Sequence, residues 1–443
     1  MNYTKSTLLA ILQQAEYDLK IWHAWLAHQR DSQQISRLQN LRPERWTFKL
    51  KLIAKLSNVY DLFLSTPVAI AKATRTILPF EKTATGFIVW LASLKLRYLQ
   101  KKGLIVIGVA GSYGKTSVKH LLNYTLSQQR FTLATPASYN TPLGISLTIL
   151  KRLNADHQIF IAELGEYQIG DLDQLLQWIR PQIGILTPIG FAHSDRFQSN
   201  EKMIETFTEM LTSCWSPEQL LVDDANLDLF PQDPRITWYG ENPASKIFLR
   251  NIQTTRSGSQ AQLLLNGQES NVSTRLWGKH QLRNALPGLL LTQKLKENIQ
   301  GAQISLQYAP DIPRRLALFH NQNGTTVIDN SYNTNPGSWK EMVALLEELQ
   351  LPHLAVITSG FVELQAETTH LAHAQMADDL GRLAQVVVVV ETRDNQDLIE
   401  FLQQKECQVL VAHSFSQSLE ALQQSLLPVE YLWLEGGHRE LYC

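Results

Sequence analysis

Apolar and polar residues follow two different patterns along this chain. Residues 8–29, LLAILQQAEYDLKIWHAWLAHQ, repeat apolar side chains at the three- and four-residue spacing of an amphipathic helix. The same helical character extends to about residue 102. We therefore predict a helical N-terminal segment over residues 1–102.

From residue 103, short apolar runs alternate with helical segments. GLIVIGVAG, HQIFIAELG and QIGILTPIG are typical of buried strands, DLDQLLQWIR is typical of a helix, and GKHQLRNALPGLLLTQKL is typical of a loop entering a helix. The alternation starts again near residue 305 with TTVIDNSYNTNP, HLAVITSG, AQVVVVVE and EYLWLEGG. Strands separated by helices of this size predict mostly parallel sheets. We predict an α/β protein with a central domain over 103–305 and a Rossmann-like C-terminal domain over 306–443.

Composition narrows the class of protein. A chain of 443 residues, 44% of them hydrophobic, can bury large cores in two or three domains. Its three cysteines lack disulfide or metal spacing, which suits a reducing cytoplasm. The net charge of −1 gives no reason to expect a nucleic-acid partner. GFIVWLASL is far shorter than the ~18 residues of a membrane span, so we expect a soluble, cytoplasmic protein. We also expect it to be a monomer.

The N-terminal segment is basic, whereas the rest of the chain is acidic. Residues 1–102 hold 16 Lys and Arg against 6 Asp and Glu, a charge of +10 that leaves about −11 on the remainder. Trp22, Trp25, Trp46 and Trp90 lie among these basic residues. Two interpretations stay open: the tryptophans form the core of a small helical domain, or the segment lies at the inner membrane face on anionic lipid.

Residues 108–122, GVAGSYGKTSVKHLL, resemble a phosphate-binding loop that runs from a strand into a helix. Val109 stands where the usual loop has its first glycine, so this loop is shorter. Its glycines allow backbone N–H groups to approach phosphate oxygens, and the helix that follows adds a positive N-terminal end. We expect Lys115 to neutralise the β- and γ-phosphates and the Thr116 hydroxyl to hold Mg²⁺. The predicted phosphate-binding residues are Gly111, Ser112, Tyr113, Gly114, Lys115, Thr116 and Ser117.

Four further strings follow the loop in order: YNTPLGIS, then IAELGEYQIGDLDQL with RPQIGILTPIGFAHSDRFQS, then GKHQLRNAL, then PRRLALFHNQNGTTVIDNSYNTNP. With the loop, they resemble the Mur ligase family, the ATP-dependent enzymes that add amino acids or peptides to cell-wall precursors. DNSYNTNP, and SGFVEL followed by His373, are most like the branch that adds D-alanyl-D-alanine. The resemblance covers roughly residues 106–375 and implies a central ATP-binding domain of the phosphate-loop type.

The resemblance also implies a reaction and its residues. Family members phosphorylate a carboxylate with ATP, and an amine then displaces the phosphate to form an amide; this branch joins D-alanyl-D-alanine to a muramoyl tripeptide in peptidoglycan synthesis. The implied cofactors are ATP and Mg²⁺. By resemblance, Lys115, Glu163 and His193 are catalytic, Thr116, Glu163 and His193 are metal ligands, Asn284 binds the adenine, Arg315 a phosphate and Asp329 the ribose.

The corner DNSYNTNP holds many side-chain donors. We expect Tyr332, Asn333 and Asn335 to bind ligand there; the alternative is that Asn335 and Pro336 only start a helix. Because the implied ligands come from two domains, we predict that domain closure assembles the site.

Three features depart from the family pattern. Phe207 stands where many members have a carbamylated lysine that bridges Mg²⁺ ions, and Lys202 lies five residues earlier. The domain that grips the uridine nucleotide of the substrate is not recognisable in residues 1–102. The ending LEGGHRELYC lacks a basic KGS-like string. Two alternatives therefore stay open: a related amide ligase with another, lipid-linked substrate, and a non-catalytic ATP-binding paralogue.

Overall fold

The computed structural model describes residues 53, 66–165, 170–190, 200–212, 219–230, 233, 235–332, 334–361, 366–392 and 395–436. The chain divides into two compact units, residues 1–91 and 92–443. Helix α1 (Thr66–Lys101) starts in the first unit and ends in the second. The remainder of the predicted helical segment, with Trp22, Trp25 and Trp46, lies outside the described residues, apart from Ile53. No helix in the described ranges is long and apolar enough to cross a bilayer.

The second unit contains two sheets. The strands of the first are β1 (Ile105–Ala110), β2 (Thr132–Ala134), β3 (Ile159–Glu163), β4 (Ile183–Leu186), β5 (Leu220–Asp223), β6 (Ile236–Gly240), β7 (Ile247–Thr255), β8 (Gly258–Leu265) and β9 (Gln268–Thr274). The helices along this part of the chain are α2 (Lys115–Ser127), α3 (Pro142–Lys151), α4 (Asp171–Ile179), α5 (Asn200–Thr212), α6 (Lys279–Lys294) and α7 (Ile299–Leu306). The described strand order is β2-β3-β1-β4-β5-β6-β7-β8-β9, parallel from β2 to β7 and antiparallel through β8 and β9.

Helices cover both faces of this sheet. Ile107 and Val109 of β1 belong to a cluster with side chains of α2 and α6, while Val106 and Ala110 belong to a second cluster with side chains of α3, α4 and α5. Burial on both faces explains why β1 and β3 read as nearly unbroken apolar runs rather than alternating ones.

The second sheet is built from the C-terminal third of the chain. Its strands are β10 (Ala317–His320), β11 (Thr326–Asn330), β12 (Leu354–Thr358), β13 (Val386–Val390), β14 (Gln408–Ala412) and β15 (Tyr431–Glu435), and its helices are α8 (Pro336–Leu349), α9 (Ala366–Leu383), α10 (Gln396–Leu402) and α11 (Phe415–Gln424). The described order is β10-β11-β15-β12-β13-β14, parallel except for β10. The α/β class predicted from the sequence is confirmed.

The first sheet's strand order determines where a ligand can bind. β1 pairs in parallel with β3 on one side and β4 on the other, so the chain changes its direction of travel across the sheet at β1. A crevice opens beyond the carboxyl ends of strands at such a point. The segment that follows β1 there is the predicted phosphate loop.

Candidate active site

The loop after β1 has a backbone that requires glycine at its first bend. Gly111 has φ of 131°, and a Cβ atom at this position would overlap with Oγ1 of Thr187. The backbone N–H groups of Ser112 and Tyr113 both donate to the carbonyl oxygen of Pro188, each at 3.1 Å. These contacts fix the loop against the segment that follows β4.

Helix α2 begins directly after Gly114, which has φ of 78°. Lys115, Thr116 and Ser117 occupy its first turn, and Nζ of Lys115 donates to the carbonyl oxygen of Gly111 at the other end of the loop. The N–H groups of a helix's first turn and its positive end together favour an anion. The structure thus brings all seven residues of the predicted phosphate loop to one helix N-terminus.

Glu163 ends β3 beside this helix and is almost fully buried. Its Oε1 accepts from the Thr116 hydroxyl at 3.2 Å, and its Oε2 lies 3.0 Å from Nζ of Lys119. Lys119 is completely buried, and its Nζ also donates to the carbonyl oxygen of Ala137. The two predicted metal ligands Thr116 and Glu163 are therefore neighbours, while the third, His193, lies outside the described residues.

Sequence reasoning missed Lys119. The available signal was its position one helical turn after Lys115, on the same face of the predicted helix. Burial lowers the pKa of Lys119, and Glu163 partly offsets this effect. Burial and the neighbouring Lys119 charge lower the pKa of His120 to about 4, so this imidazole is neutral at pH 7. The Arg315 charge contributes to both decreases, which means that Arg315 acts electrostatically at α2.

The second sheet contributes Arg315 and Tyr332 to the same region. The guanidinium carbon of Arg315 lies 3.8 Å from the centre of the Tyr332 ring, a cation–π contact, and that of Arg314 lies 5.7 Å from it. Asp329 is half-buried in β11, and its Oδ1 accepts from the backbone N–H of Ser331 at 3.1 Å. Tyr332 therefore holds the Arg315 side chain on the side of the second sheet.

Asn284, predicted to contact the adenine, is buried on α6. A Cβ atom placed on Gly114 would lie 3.0 Å from its Oδ1, so Asn284 sits directly against the phosphate loop. The preceding residue, Arg283, donates through Nε to Asp223 at 2.9 Å and through Nη2 to Asp224 at 2.7 Å. This partly buried ion-pair network fixes α6 to the end of β5 and thereby positions Asn284.

Asn335 has a structural role. It is the N-cap of α8: its Oδ1 accepts from the backbone N–H of Ser338 at 2.9 Å, and the Ser338 hydroxyl accepts in return from the Asn335 N–H at 3.2 Å. The start of this helix lies close to the phosphate loop, since a Cβ atom on Gly337 would be 3.6 Å from the Tyr113 ring. Asn333 lies outside the described residues.

Phe207 is buried in the core of the first sheet. Its side chain has no exposed surface and belongs to the apolar cluster that includes Met210, Leu172 and Leu175. Lys202, on the same helix, is exposed. The position where the resemblance implies a metal-binding lysine is therefore a packing position in this chain.

His373 is fully buried beneath the segment that follows β12. Its Nε2 accepts from the backbone N–H of Phe361 at 3.1 Å, and its Nδ1 lies 2.7 Å from Oδ1 of Asp397. These partners assign the neutral tautomer with the proton on Nδ1. His373 therefore orders the start of the SGFVEL segment.

Glu435 ends β15 at the start of the string LEGG and is fully buried. Its Oε2 accepts from Nδ2 of Asn330 at 2.7 Å and from Nε1 of Trp433 at 2.8 Å. Burial raises the pKa of this carboxyl group to about 7, against the effect of these hydrogen bonds. The ending LEGGHRELYC, which lacks a basic KGS-like string, thus has a buried carboxyl group at its start.

Two family models match this chain. Residues 109–292 match the Mur ligase middle domain, and residues 314–431 match the Mur ligase glutamate ligase domain. The UDP-N-acetylmuramoyl-tripeptide–D-alanyl-D-alanine ligase of Mycobacterium tuberculosis strain H37Rv is 26% identical over 339 residues, which are 72% of this chain and 64% of that protein. The ligase of the same name from Bacillus subtilis strain 168 is 26% identical over 261 residues, 59% of this chain and 56% of its own. The chain thus spans less than two thirds of the length of these curated relatives.

Solved structures share the fold. The MurF ligase of Thermotoga maritima, in complex with ADP, superposes with a TM-score of 0.69 at 21% identity and covers 81% of each chain. The folylpolyglutamate synthase of Mycobacterium tuberculosis, complexed with ADP, superposes with a TM-score of 0.59 at 14% identity, over 81% of this chain and 94% of its own. At these identities the likeness establishes the arrangement of the two sheets.

Proposed function

Because the chain belongs to the Mur ligase family, we propose that it is an ATP-dependent amide ligase that forms its product through an acyl phosphate. The observation that carries the proposal is the cluster of Thr116, Lys119 and Glu163 at the N-terminus of α2, within the electrostatic reach of Arg315. A phosphoryl-transfer site needs a held anion, compensating cations and a hard-oxygen metal site. This cluster supplies residues suited to each of the three.

We propose that the described residues bind ATP in the following way. The N–H groups at the start of α2 and the Lys115 ammonium hold the phosphates, and Arg315 reaches them from the second sheet. Asn284 contacts the nucleotide from α6, and Asp329 binds the ribose from β11. The site is complete only when residues of both sheets meet the same nucleotide, which supports closure of the predicted domains 103–305 and 306–443 on binding.

The donor set next to α2 fits Mg²⁺. The Thr116 hydroxyl and one Glu163 carboxylate oxygen lie 3.2 Å apart, and hard oxygen ligands are those that Mg²⁺ prefers. Thr116 and Glu163 would hold the ion, with His193 as the third ligand that the family resemblance implies. When bound, the ion screens the phosphate charge during transfer.

The proposed reaction has two steps, phosphorylation of a carboxylate and displacement of the phosphate by an amine. A substrate carboxylate oxygen forms a bond to the γ-phosphorus of ATP, and the bond to the β-phosphate oxygen breaks to release ADP. An amine nitrogen then attacks the acyl carbon, phosphate leaves, and the nitrogen loses a proton. Lys115 and Arg315 stabilise the charge that develops on the phosphate oxygens. We propose D-alanyl-D-alanine as the amine and a muramoyl tripeptide as the carboxylate, as the names of the relatives indicate.

The test is ADP release from ATP that depends on both the carboxylate and the amine, with the amide product identified by mass. We expect Lys115→Ala to lower the turnover number by at least about 100-fold, because a lost phosphate-neutralising charge costs several kcal/mol in the transition state. Lys151→Ala, an exposed lysine at the end of α3, is the matched control and should retain full turnover. Unchanged turnover in Lys115→Ala would exclude this loop as the catalytic phosphate site.

A second candidate is a related amide ligase with a different carboxylate and amine. Two observations favour it: the family models leave residues 1–108 unmatched, and the buried carboxyl group of Glu435 lies at the start of an ending that lacks a basic KGS-like string. Assaying ADP release across a panel of carboxylates and amines separates this candidate from the first. A non-catalytic ATP-binding paralogue would release no ADP with any pair.

We also propose that the chain works in the cytoplasm as a monomer and contacts the membrane surface through residues 1–102, of which α1 is the main described part. Phe87, Trp90, Leu94 and Tyr98 are exposed along this helix at helical spacing, and Lys102 lies 4.6 Å from the Tyr98 ring centre. Aromatic side chains beside basic ones suit an interface with anionic lipid.

Co-sedimentation of the full chain with vesicles tests the membrane contact. We expect binding to phosphatidylglycerol-containing vesicles, weaker binding to pure phosphatidylcholine, and loss of binding in the double variant Phe87→Ser, Trp90→Ser. Tyr308→Ser, which removes an exposed aromatic residue elsewhere, is the control and should bind like the parent chain. Equal sedimentation of the double variant and the parent would refute the contact.

A further inference from the structure

The two oxygens of Glu163 face different partners. Oε1 accepts from the Thr116 hydroxyl, on the side proposed above for Mg²⁺, whereas Oε2 lies 3.0 Å from the Lys119 ammonium. Lys119 is held at two points, since its Nζ also donates to the carbonyl oxygen of Ala137. With no exposed surface, it cannot turn away into solvent. One carboxylate oxygen is therefore occupied by a cation that belongs to the protein.

Helix α5 has an apolar residue, Phe207, at the position where the resemblance implies a ligand for a second metal ion. Phe207 of α5 is packed in the core of the first sheet and cannot carry a carbamate. Lys202 and Glu205 are exposed. Glu209 is engaged elsewhere, because its two oxygens accept from the backbone N–H groups of Gly170 at 2.9 Å and Asp173 at 2.8 Å. Among the described side chains of α5, these four therefore supply no ligand that would bridge a second metal ion to Glu163.

The local charge also disfavours a second divalent ion. Lys115 and Lys119 lie on one face of α2, and Arg315 acts on the same region from the second sheet. An ion placed against Oε2 would be in contact with the buried ammonium of Lys119, and like charges at this distance repel strongly where water is excluded.

We propose that this chain binds ATP with one divalent cation, on the Thr116 side of Glu163, and that the Lys119 ammonium occupies the place beside Oε2 where a second cation would lie. The inference rests on one part of the proposed function, the binding of ATP, and does not depend on which amide is formed. In this arrangement a lysine fixed in the fold does the electrostatic work of a second metal ion, and it needs neither carbon dioxide nor a metal-binding residue on α5.

Counting bound Mn²⁺ by electron paramagnetic resonance tests the proposal directly. The full chain is saturated with the non-hydrolysable analogue β,γ-imido-ATP and titrated with Mn²⁺. We expect one bound Mn²⁺ per chain, and two would overturn the inference while leaving the proposed ligase function intact. Failure of the analogue to bind at all, measured separately by calorimetry, would instead remove the proposed function and this inference with it.

Three variants assign the effect to Lys119. Lys119→Met keeps the aliphatic stem without the charge, and we expect Mn²⁺ to bind about tenfold more tightly because a nearby like charge is gone. Lys119→Arg keeps the charge, and Lys202→Met removes an exposed lysine on α5; both should bind Mn²⁺ as the parent chain does. Unchanged Mn²⁺ affinity in folded Lys119→Met would overturn the role given to Lys119.

A measurement on the parent chain keeps the proposal testable if Lys119→Met does not fold. Carbon-13 spectra recorded with labelled bicarbonate reveal a lysine carbamate wherever one forms. We expect no carbamate signal from this chain. A carbamate signal that disappears in Lys202→Met would show that Lys202 carries a carbamate and can hold a second metal ion. That result would overturn the one-cation arrangement.

Discussion

The carboxyl group of Glu435 illustrates how surroundings set the chemistry of one residue. It is fully buried at the end of β15, where Asn330 and Trp433 donate to its Oε2. Desolvation disfavours the charged form more than these hydrogen bonds favour it, so the pKa rises to about 7. The native chain therefore keeps this proton at pH values where an unfolded chain has released it.

This proton makes stability depend on pH. Because the native pKa of Glu435 is raised from 4.5 to about 7, its contribution is present below pH 4.5 and is lost as the pH rises through 7. A shift of this size corresponds to about 3 kcal/mol. The parent loses most of this contribution between pH 5 and pH 8. Because Glu435→Gln stays neutral, we expect its free energy of unfolding to rise relative to that of the parent by about 2.5 kcal/mol over this range.

Denaturant unfolding of both proteins at the two pH values measures the effect. Glu420→Gln, at an exposed position on α11, is the control, and its difference from the parent should be the same at both pH values. A difference for Glu435→Gln that does not change between pH 5 and pH 8 would contradict the buried, protonated carboxyl group.

At the scale of elements, the start of α8 shows whether Asn335 caps a helix or binds a ligand. The sequence allows Asn335 to bind a ligand or to start a helix, and the structure shows a reciprocal pair of hydrogen bonds with Ser338. An amide oxygen that already accepts from the helix N–H is less available to a ligand. The nearby phosphate loop shows the opposite case, because the N–H groups at the start of α2 have no side-chain cap.

We therefore expect Asn335→Ala to lower the free energy of unfolding by about 1 kcal/mol through loss of the cap, with little change in ATP affinity. Asn335→Ser retains a capping oxygen and should recover most of the stability. Denaturant unfolding and nucleotide titration of the two variants provide the measurements. Loss of ATP affinity in Asn335→Ala and Asn335→Ser alike would instead assign Asn335 to the binding site.

On the scale of the whole molecule, the candidate site belongs to two sheets. The phosphate loop, α2 and Glu163 come from the first sheet, while Arg315 and Tyr332 come from the second. The first set holds the predicted phosphate site, and the second set adds the Arg315 cation to it. We therefore propose that binding of one nucleotide brings the two sets together.

Hydrogen exchange tests whether one nucleotide contacts both sheets. We expect β,γ-imido-ATP with Mg²⁺ to slow backbone exchange at residues 111–119 and also at residues 329–332. Protection confined to residues 111–119 would show that the nucleotide stays on the first sheet. Arg315→Met should lose the protection at 329–332 and retain that at 111–119, which distinguishes a ligand contact from general stabilisation.

The sequence alone determined the α/β class, the position of the phosphate loop after β1 and the absence of a metal ligand at Phe207. These features depend on local patterns: apolar runs of strand length, a glycine-containing string before a helix, and the chemistry of one side chain. Such patterns act over a few residues and can be read without knowing the fold.

Only the tertiary structure decided the surroundings of Glu163, Asn284 and Glu435. The partner of Glu163 is Lys119, which lies 44 residues earlier on another element and meets it because β3 pairs beside β1. Asn284 reaches Gly114 because α6 packs along α2. The raised pKa of Glu435 depends on burial between strands that are distant in sequence. The order of residues decides which groups are present, whereas long-range packing decides their distances and their exposure to water, and electrostatic energies depend on both.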